Sequence, residues 1–242
     1  MAIPRIASRL FFTLPLSIPQ GVRGFSPNKA VAVRPFSYSA RNGSPKTDIL
    51  VELAKARRTV YQLGSNSPVP DSEIEKLVHA AILNVPSAFN TQSTRLLVLL
   101  HREHERLWDV AIEVFKNLLN TGAIPKEVWE RQTLPKLQGF RAGVGTPWAE
   151  HSNAMHQFFR ASDPRLPTFG PILCFWTGLE SLGFAANLQH YNPLIDGPVA
   201  KQWDIPSEWK LVAQLVFGSP KGVPGEKSQK PIEDRVKIYG RR

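Results

Sequence analysis

The chain has 242 residues, 42% of them hydrophobic and 21% charged, which suits one domain with a true core plus a tail and excludes a wholly disordered polymer. A single cysteine, Cys174, excludes an internal disulfide framework, a four-cysteine zinc site and an iron-sulfur cluster held by this chain alone. The net charge of +10 is unevenly placed: seven basic residues precede the first acidic one, Asp48, so only +3 remains from Asp48 onward, too little to argue for a nucleic-acid partner.

Residues 1–43 read as a targeting segment and linker, and residues 44–242 as one folded domain. The first part has arginine, serine and apolar residues but no acid, the composition of a mitochondrial presequence. Ile6, Leu10 and Phe11 share one face of a short helix there while Arg5 and Arg9 share another. Arg34-Pro35-Phe36-Ser37 has the arginine-before-the-cut pattern that makes Ser37 a mature start, giving a matrix destination with which a cytoplasmic pool is also compatible. A disordered basic tail is the alternative.

From Asp48 a stripe of Leu50, Val51, Leu53 and Ala54 predicts a helix that ends by delivering Arg57 and Arg58. Turn formers from Gly64 to Pro70 follow, then a second helix to about Asn84, opened by a Ser72/Glu75 capping box and carried by Ile74, Leu77, Val78, Ala81 and Ile82. Pro86 to Thr94 reads as a polar loop, and Arg95 to Leu100 as a strand buried on both faces. Leu107, Val110, Ala111, Val114, Phe115 and Leu118 predict a third helix, stopped near Gly122 and Pro125. Trp176 to Leu188 reads as a buried helix with small residues for close packing, Val212 to Phe217 as a strand, Gly218 to Lys230 as a loop, and Arg235 to Tyr239 as a short extended segment. No apolar run approaches the roughly 18 to 20 residues of a bilayer span, so membrane insertion is not expected. The class is α+β.

The sequence has no His-Glu-x-x-His, Gly-x-Ser-x-Gly, Walker loop or Gly-x-Gly-x-x-Gly, and its six histidines are scattered. Cations and amides at element ends point instead to a phosphorylated cofactor that brings its own reactivity. Four motifs stand in order: Arg57-Arg58-Thr59-Val60-Tyr61-Gln62-Leu63; Val85-Pro86-Ser87-Ala88-Phe89-Asn90-Thr91-Gln92-Ser93; Leu182-Gly183 with Leu188-Gln189-His190-Tyr191-Asn192-Pro193; and Lys227-Ser228-Gln229-Lys230-Pro231. Together they resemble the signatures of the nitroreductase family, in particular its fungal and bacterial branch that includes the yeast nitroreductase-like proteins.

The resemblance implies an α/β/α sandwich around a mostly antiparallel sheet, in an obligate homodimer that binds two FMN at its interface. It assigns Arg57, Arg58 and Thr59 to the FMN phosphate and ribityl chain, and Ser87, Asn90 and Gln92 to the rim of the isoalloxazine. Gln189 and His190 go to the ring's other face, and Lys227 and Lys230 to the phosphate. No catalytic side chain is expected, since flavin N5 carries the chemistry. The implied activity is ping-pong reduction of nitroaromatics or quinone-like acceptors by NADH or NADPH; the rival is a non-catalytic mitochondrial binding or regulatory protein with a degenerate flavin fold. Two departures from the family stand out. Tyr61 occupies a position where relatives often have lysine. After Gly143 and Gly145 the chain passes at once to Pro147-Trp148-Ala149-Glu150, so the apolar central strand of relatives is expected to be missing, and Phe158 to Pro167 does not resemble the family.

Overall fold

A computed structural model describes residues 46–87, 90–152 and 166–240. The expected presequence with its cleavage pattern, Ala88, Phe89 and most of the Phe158 to Pro167 stretch therefore lie outside the described residues.

The helices are α1 (Lys46–Ala56), α2 (Asp71–Asn84), α3 (His101–Asn120), the single turn α4 (Lys126–Val128), α5 (Leu134–Arg141), α6 (Leu166–Ser181) and α7 (Asp196–Gln202). A short π-helical stretch, Trp129–Thr133, joins α4 to α5. The strands are β1 (Leu63–Gly64), β2 (Thr94–Leu100), β3 (Gly145–Ser152), β4 (Ala185–Gln189) and β5 (Trp209–Pro220). β5 is the hub of the sheet. It pairs antiparallel with β1, β3 and β4, and β3 pairs antiparallel with β2.

Because side chains alternate across a strand, the sheet feeds two cores. On one side Leu99, Trp148 and Val216 meet Leu107, Trp108 and Ala111 of α3, Leu137 and Phe140 of α5, and Val199 of α7. On the other, Ala213, Leu215 and Phe217 meet Ile74 and Ala81 of α2 and Ile172, Phe175, Trp176 and Leu179 of α6. Both helical layers show the i, i+3, i+4, i+7 spacing of an amphipathic helix: His104, Leu107, Trp108, Ala111 in α3 and Ile172, Phe175, Trp176, Leu179 in α6. This is the expected α/β/α sandwich. Helix α6 lies tight on α2 because Gly178 has no side chain: a Cβ there would come within 2.5 Å of the Leu77 side chain.

Several elements differ from their sequence reading. The central strand expected to be missing is present: β3 runs between β2 and β5, with Pro147 opposite Val98. The missing N–H of Pro147 is tolerated because Gly145 and Trp148, on either side of it, hold the register to Phe217 and Gln214 of β5. The helix expected over Trp176 to Leu188 is two elements, with α6 starting earlier and ending at Ser181. Gly183 stops it, in the left-handed region at φ +89, and the Phe184 N–H reaches back to the Leu179 carbonyl. Ala186 and Leu188, which fitted a helical face, belong to β4.

The Ser72/Glu75 capping box does not form. Pro70 is the N-cap, and no side chain caps α2. Helix α3 begins at His101, directly after β2 and earlier than its apolar stripe suggested. Strand β2 does send apolar residues to both layers, Leu97 and Leu99 to one and Leu96 and Leu100 to the other. Arg235 to Tyr239 is not simply extended: a turn closes through Ile232, whose carbonyl accepts from the Arg235 and Val236 N–H groups, and the residues after it join no strand. No described helix is long and apolar enough to cross a membrane.

Candidate functional site

Helix α1 ends at Ala56, and the chain straightens as it delivers the two arginines. Thr59 bridges to Ala186 in parallel, and the Val60 N–H donates to the Ala186 carbonyl at 3.0 Å. The first motif thus lies beside β4, whose far end carries Gln189 and His190. A second bond ties the same two segments: the buried Asn187 side chain donates to the Val60 carbonyl (2.9 Å) and accepts from the Gln189 carboxamide (2.8 Å). Gln189 is half-buried and oriented by this link. His190 is exposed, and its Nδ1 faces the Val212 carbonyl at 3.1 Å.

The last motif is brought to the first. After β5, the Lys221 N–H donates to the Gln62 carbonyl (2.9 Å), and the Arg58 guanidinium donates through Nη2 to the Gly225 carbonyl (2.5 Å). Residues 167 positions apart are thereby joined, two residues short of Lys227. Lys227 and Lys230 are exposed. The Arg57 guanidinium stacks over the Trp176 ring, 4.5 Å from its centroid. Among the described residues neither arginine has a carboxylate partner within salt-bridge distance, an arrangement that suits an anionic ligand.

The second motif stands apart. In the loop after α2 the Ser87 hydroxyl accepts from the Gln92 N–H (3.0 Å), and the Ser87 carbonyl accepts from the Asn90 N–H (3.0 Å). Both Asn90 (φ 53) and Gln92 (φ 48) sit in the left-handed region, an unfavourable conformation for side-chain-bearing residues that turns two amides outward. Val85 touches Gly170 near the start of α6, whereas Arg58 meets Glu180 near its end. The points at which the two segments meet α6 are therefore about 15 Å apart, ten residues at about 1.5 Å each.

Two groups at the site escape a motif reading, Trp176 beneath Arg57 and Glu180 beside Arg58. The Glu180 carboxylate accepts the Arg58 N–H at 3.0 Å. Burial pushes the Glu180 carboxyl up to about 7, against the opposing pull of that bond and of both arginine charges. The sequence signal for them was the helical i, i+4 spacing on α6, which also fits plain core packing. A groove of about 230 Å³ between α2 and β2, lined by Asp71, Ile74, Glu75, Val78, Val98 and Leu100, includes none of the candidate residues. No cluster of metal-ligating side chains occurs among the described residues.

The profile of the nitroreductase family matches residues 54–159. Nitroreductase FRM2 of Saccharomyces cerevisiae is 30% identical over 192 residues, covering 76% of this chain and 93% of the yeast protein. Among solved structures, nitroreductase CinD from Lactococcus lactis, in complex with chloramphenicol, is 34% identical with a TM-score of 0.67, covering 79% of this chain and all of that one. Iodotyrosine deiodinase bound to FMN and 3-iodo-L-tyrosine shares the fold, at 20% identity and a TM-score of 0.55, covering 79% of this chain and 99% of that one.

Proposed function

This chain belongs to the nitroreductase family, a family of flavin oxidoreductases, and we propose that it is an FMN-dependent NAD(P)H oxidoreductase acting on nitroaromatic or quinone-like acceptors. The observation that carries the reading is the meeting of Arg57 and Arg58 with the chain that leads to Lys227 and Lys230, because guanidinium and ammonium groups without carboxylate partners suit a phosphate. In this reading Arg57, Arg58, Thr59, Lys227 and Lys230 hold the phosphate end of FMN. Ser87 shapes the loop from which Asn90 and Gln92 reach the polar rim of the ring, and Gln189 and His190 line its other face.

When bound, FMN would supply the redox chemistry, a ping-pong transfer of electrons from NADH or NADPH to the acceptor. The protein's part is to orient and to set the field, for cations near the cofactor favour its negatively charged reduced form. Molecules found in complex with a relative support the acceptor class, chloramphenicol and 4-nitrophenol both being nitroaromatics bound by CinD.

A homodimer with two FMN at its interface belongs to the same proposal. Leu50 and Val51 of α1, Leu83 of α2 and Leu173 of α6 are exposed on neighbouring helices, an apolar surface that a second copy would cover. The acid-free, arginine-bearing N-terminus supports matrix targeting, to be tested by cleavage near Ser37 on import into isolated mitochondria.

The full chain is expected to purify yellow or to take up free FMN at about one per subunit, and to oxidise NADH or NADPH in the presence of a nitroaromatic. Arg58→Ala should lose FMN while the apo form keeps most of its thermal stability. Folded, colourless protein that ignores added FMN in a calorimeter would remove the proposal.

A further inference from the structure

The segment that carries the arginines is held along one edge. The N–H groups of Arg58 and Val60, two residues apart, point the same way, as alternate N–H groups of an extended chain do. Val60 finds a strand partner in Ala186, but β4 begins only at Ala185, so the N–H of Arg58 lies beyond the strand's reach. Its acceptor is a side chain instead, the Glu180 carboxylate from the last turn of α6. One turn earlier, at i−4 and so on the same helix face, Trp176 supports the Arg57 guanidinium. One face of α6 thus fixes the backbone of one arginine and the head group of the other.

We propose that Glu180 and Trp176 are positioning residues for the anion site, holding the Arg57–Arg58 pair in the geometry that receives a phosphate. This rests on the FMN reading above. Glu180 acts by accepting a hydrogen bond from the main chain, not by supplying negative charge. Its half-buried carboxyl, pushed up to about 7 by burial, is only partly charged at neutral pH and so draws little on the Arg57 and Arg58 charges that a phosphate would meet. Trp176 acts by restricting Arg57 to one orientation, so less side-chain freedom remains to be lost when an anion binds.

The test compares Glu180→Met, which keeps the length but has no comparable acceptor, with Glu180→Gln, which keeps an oxygen without the charge. Apo full-length chain is titrated with free FMN by quenching of flavin fluorescence, and the melting temperature of each apo protein is recorded. Wild type is expected to bind, Glu180→Met to bind about tenfold more weakly, because the arginine segment must then be ordered as the anion binds, and Glu180→Gln to stay within about twofold of wild type. A lowered melting temperature with unchanged FMN affinity in Glu180→Met assigns a purely structural role and overturns the inference. Equal weakening in both variants overturns it too, because charge would then be what matters. Should Glu180→Met not fold, Trp176→Phe takes its place; weaker FMN binding is expected there, and unchanged binding counts against the inference. If wild type itself takes up no FMN, the functional reading falls and this inference with it.

Discussion

His104 is fully buried, yet both of its ring nitrogens are matched. Nε2–H donates to the Phe140 carbonyl (3.0 Å), Nδ1 accepts from the Thr146 hydroxyl (2.8 Å), and the Thr146 oxygen accepts from the Trp108 indole (3.1 Å). The neutral imidazole satisfies this set, and burial favours it by lowering the His104 pKa to about 4. The unfolded chain takes up the proton nearer 6.5, so the stability from this group is complete above that pH and is lost as pH falls towards 4, about 3 kcal/mol in all. Glu180 works oppositely in an overlapping window, since its raised pKa favours the folded state at lower pH. The expected result therefore lies in a difference. Urea midpoints from pH 7.5 to 4.5 should show His104→Gln less stable than wild type at the upper end, with the gap narrowing as the pH falls. A constant gap would mean that the imidazole does not titrate in this way.

At the scale of elements, the boundary between α6 and β4 shows what a single residue can decide. Trp176 to Leu188 is rich in apolar and small side chains, a composition shared by a buried helix and a buried strand. Gly183 breaks the ambiguity, because at φ +89 it turns the chain out of α6 and into the ladder with β5. Gly183→Ala is expected to cost about 1–2 kcal/mol, the penalty for a side chain in the left-handed region. A chemical-denaturation midpoint unchanged from wild type would contradict that. Strand β3 hid for a different reason. Its proline and its few apolar side chains argue against a central strand, but Trp148 is fully buried and the pairing on both sides is supplied by the backbone. The loop at Ser87 to Gln92 was readable as a loop, but its two left-handed residues were not, since φ follows from the Ser87 hydrogen bonds and not from residue type alone.

For the whole molecule, the notable surface is the C-terminal segment. From Lys221 to Gly240 the chain joins no helix or strand and is almost wholly exposed, and it carries Val223, Ile232, Val236, Ile238 and Tyr239, the last 86% exposed. Such apolar residues on an extended arm gain their burial from another surface, which in the proposed dimer is the second protomer. A chain ending at Pro220 should accordingly shift from dimer to monomer in sedimentation velocity and should lose FMN retention with Lys227 and Lys230. A truncated chain that remains dimeric would confine the interface to the outer face of α1, α2 and α6.

The sequence by itself determined the helical faces of α2 and α3, save that Ile82 of the α2 stripe is exposed, together with the two-sided strand from Arg95 to Leu100, the order of the four motifs, and through them the family. Each of these is written in local periodicity or in the chemistry of a few adjacent residues. What only the tertiary structure decided is which groups meet: Arg58 with Gly225, the Arg57–Arg58 pair with Trp176 and Glu180, and β5 as the strand that three others share. Those partners are remote in the chain, and a hydrogen-bond donor carries no mark of its distant acceptor until the cores on both sides of the sheet have packed.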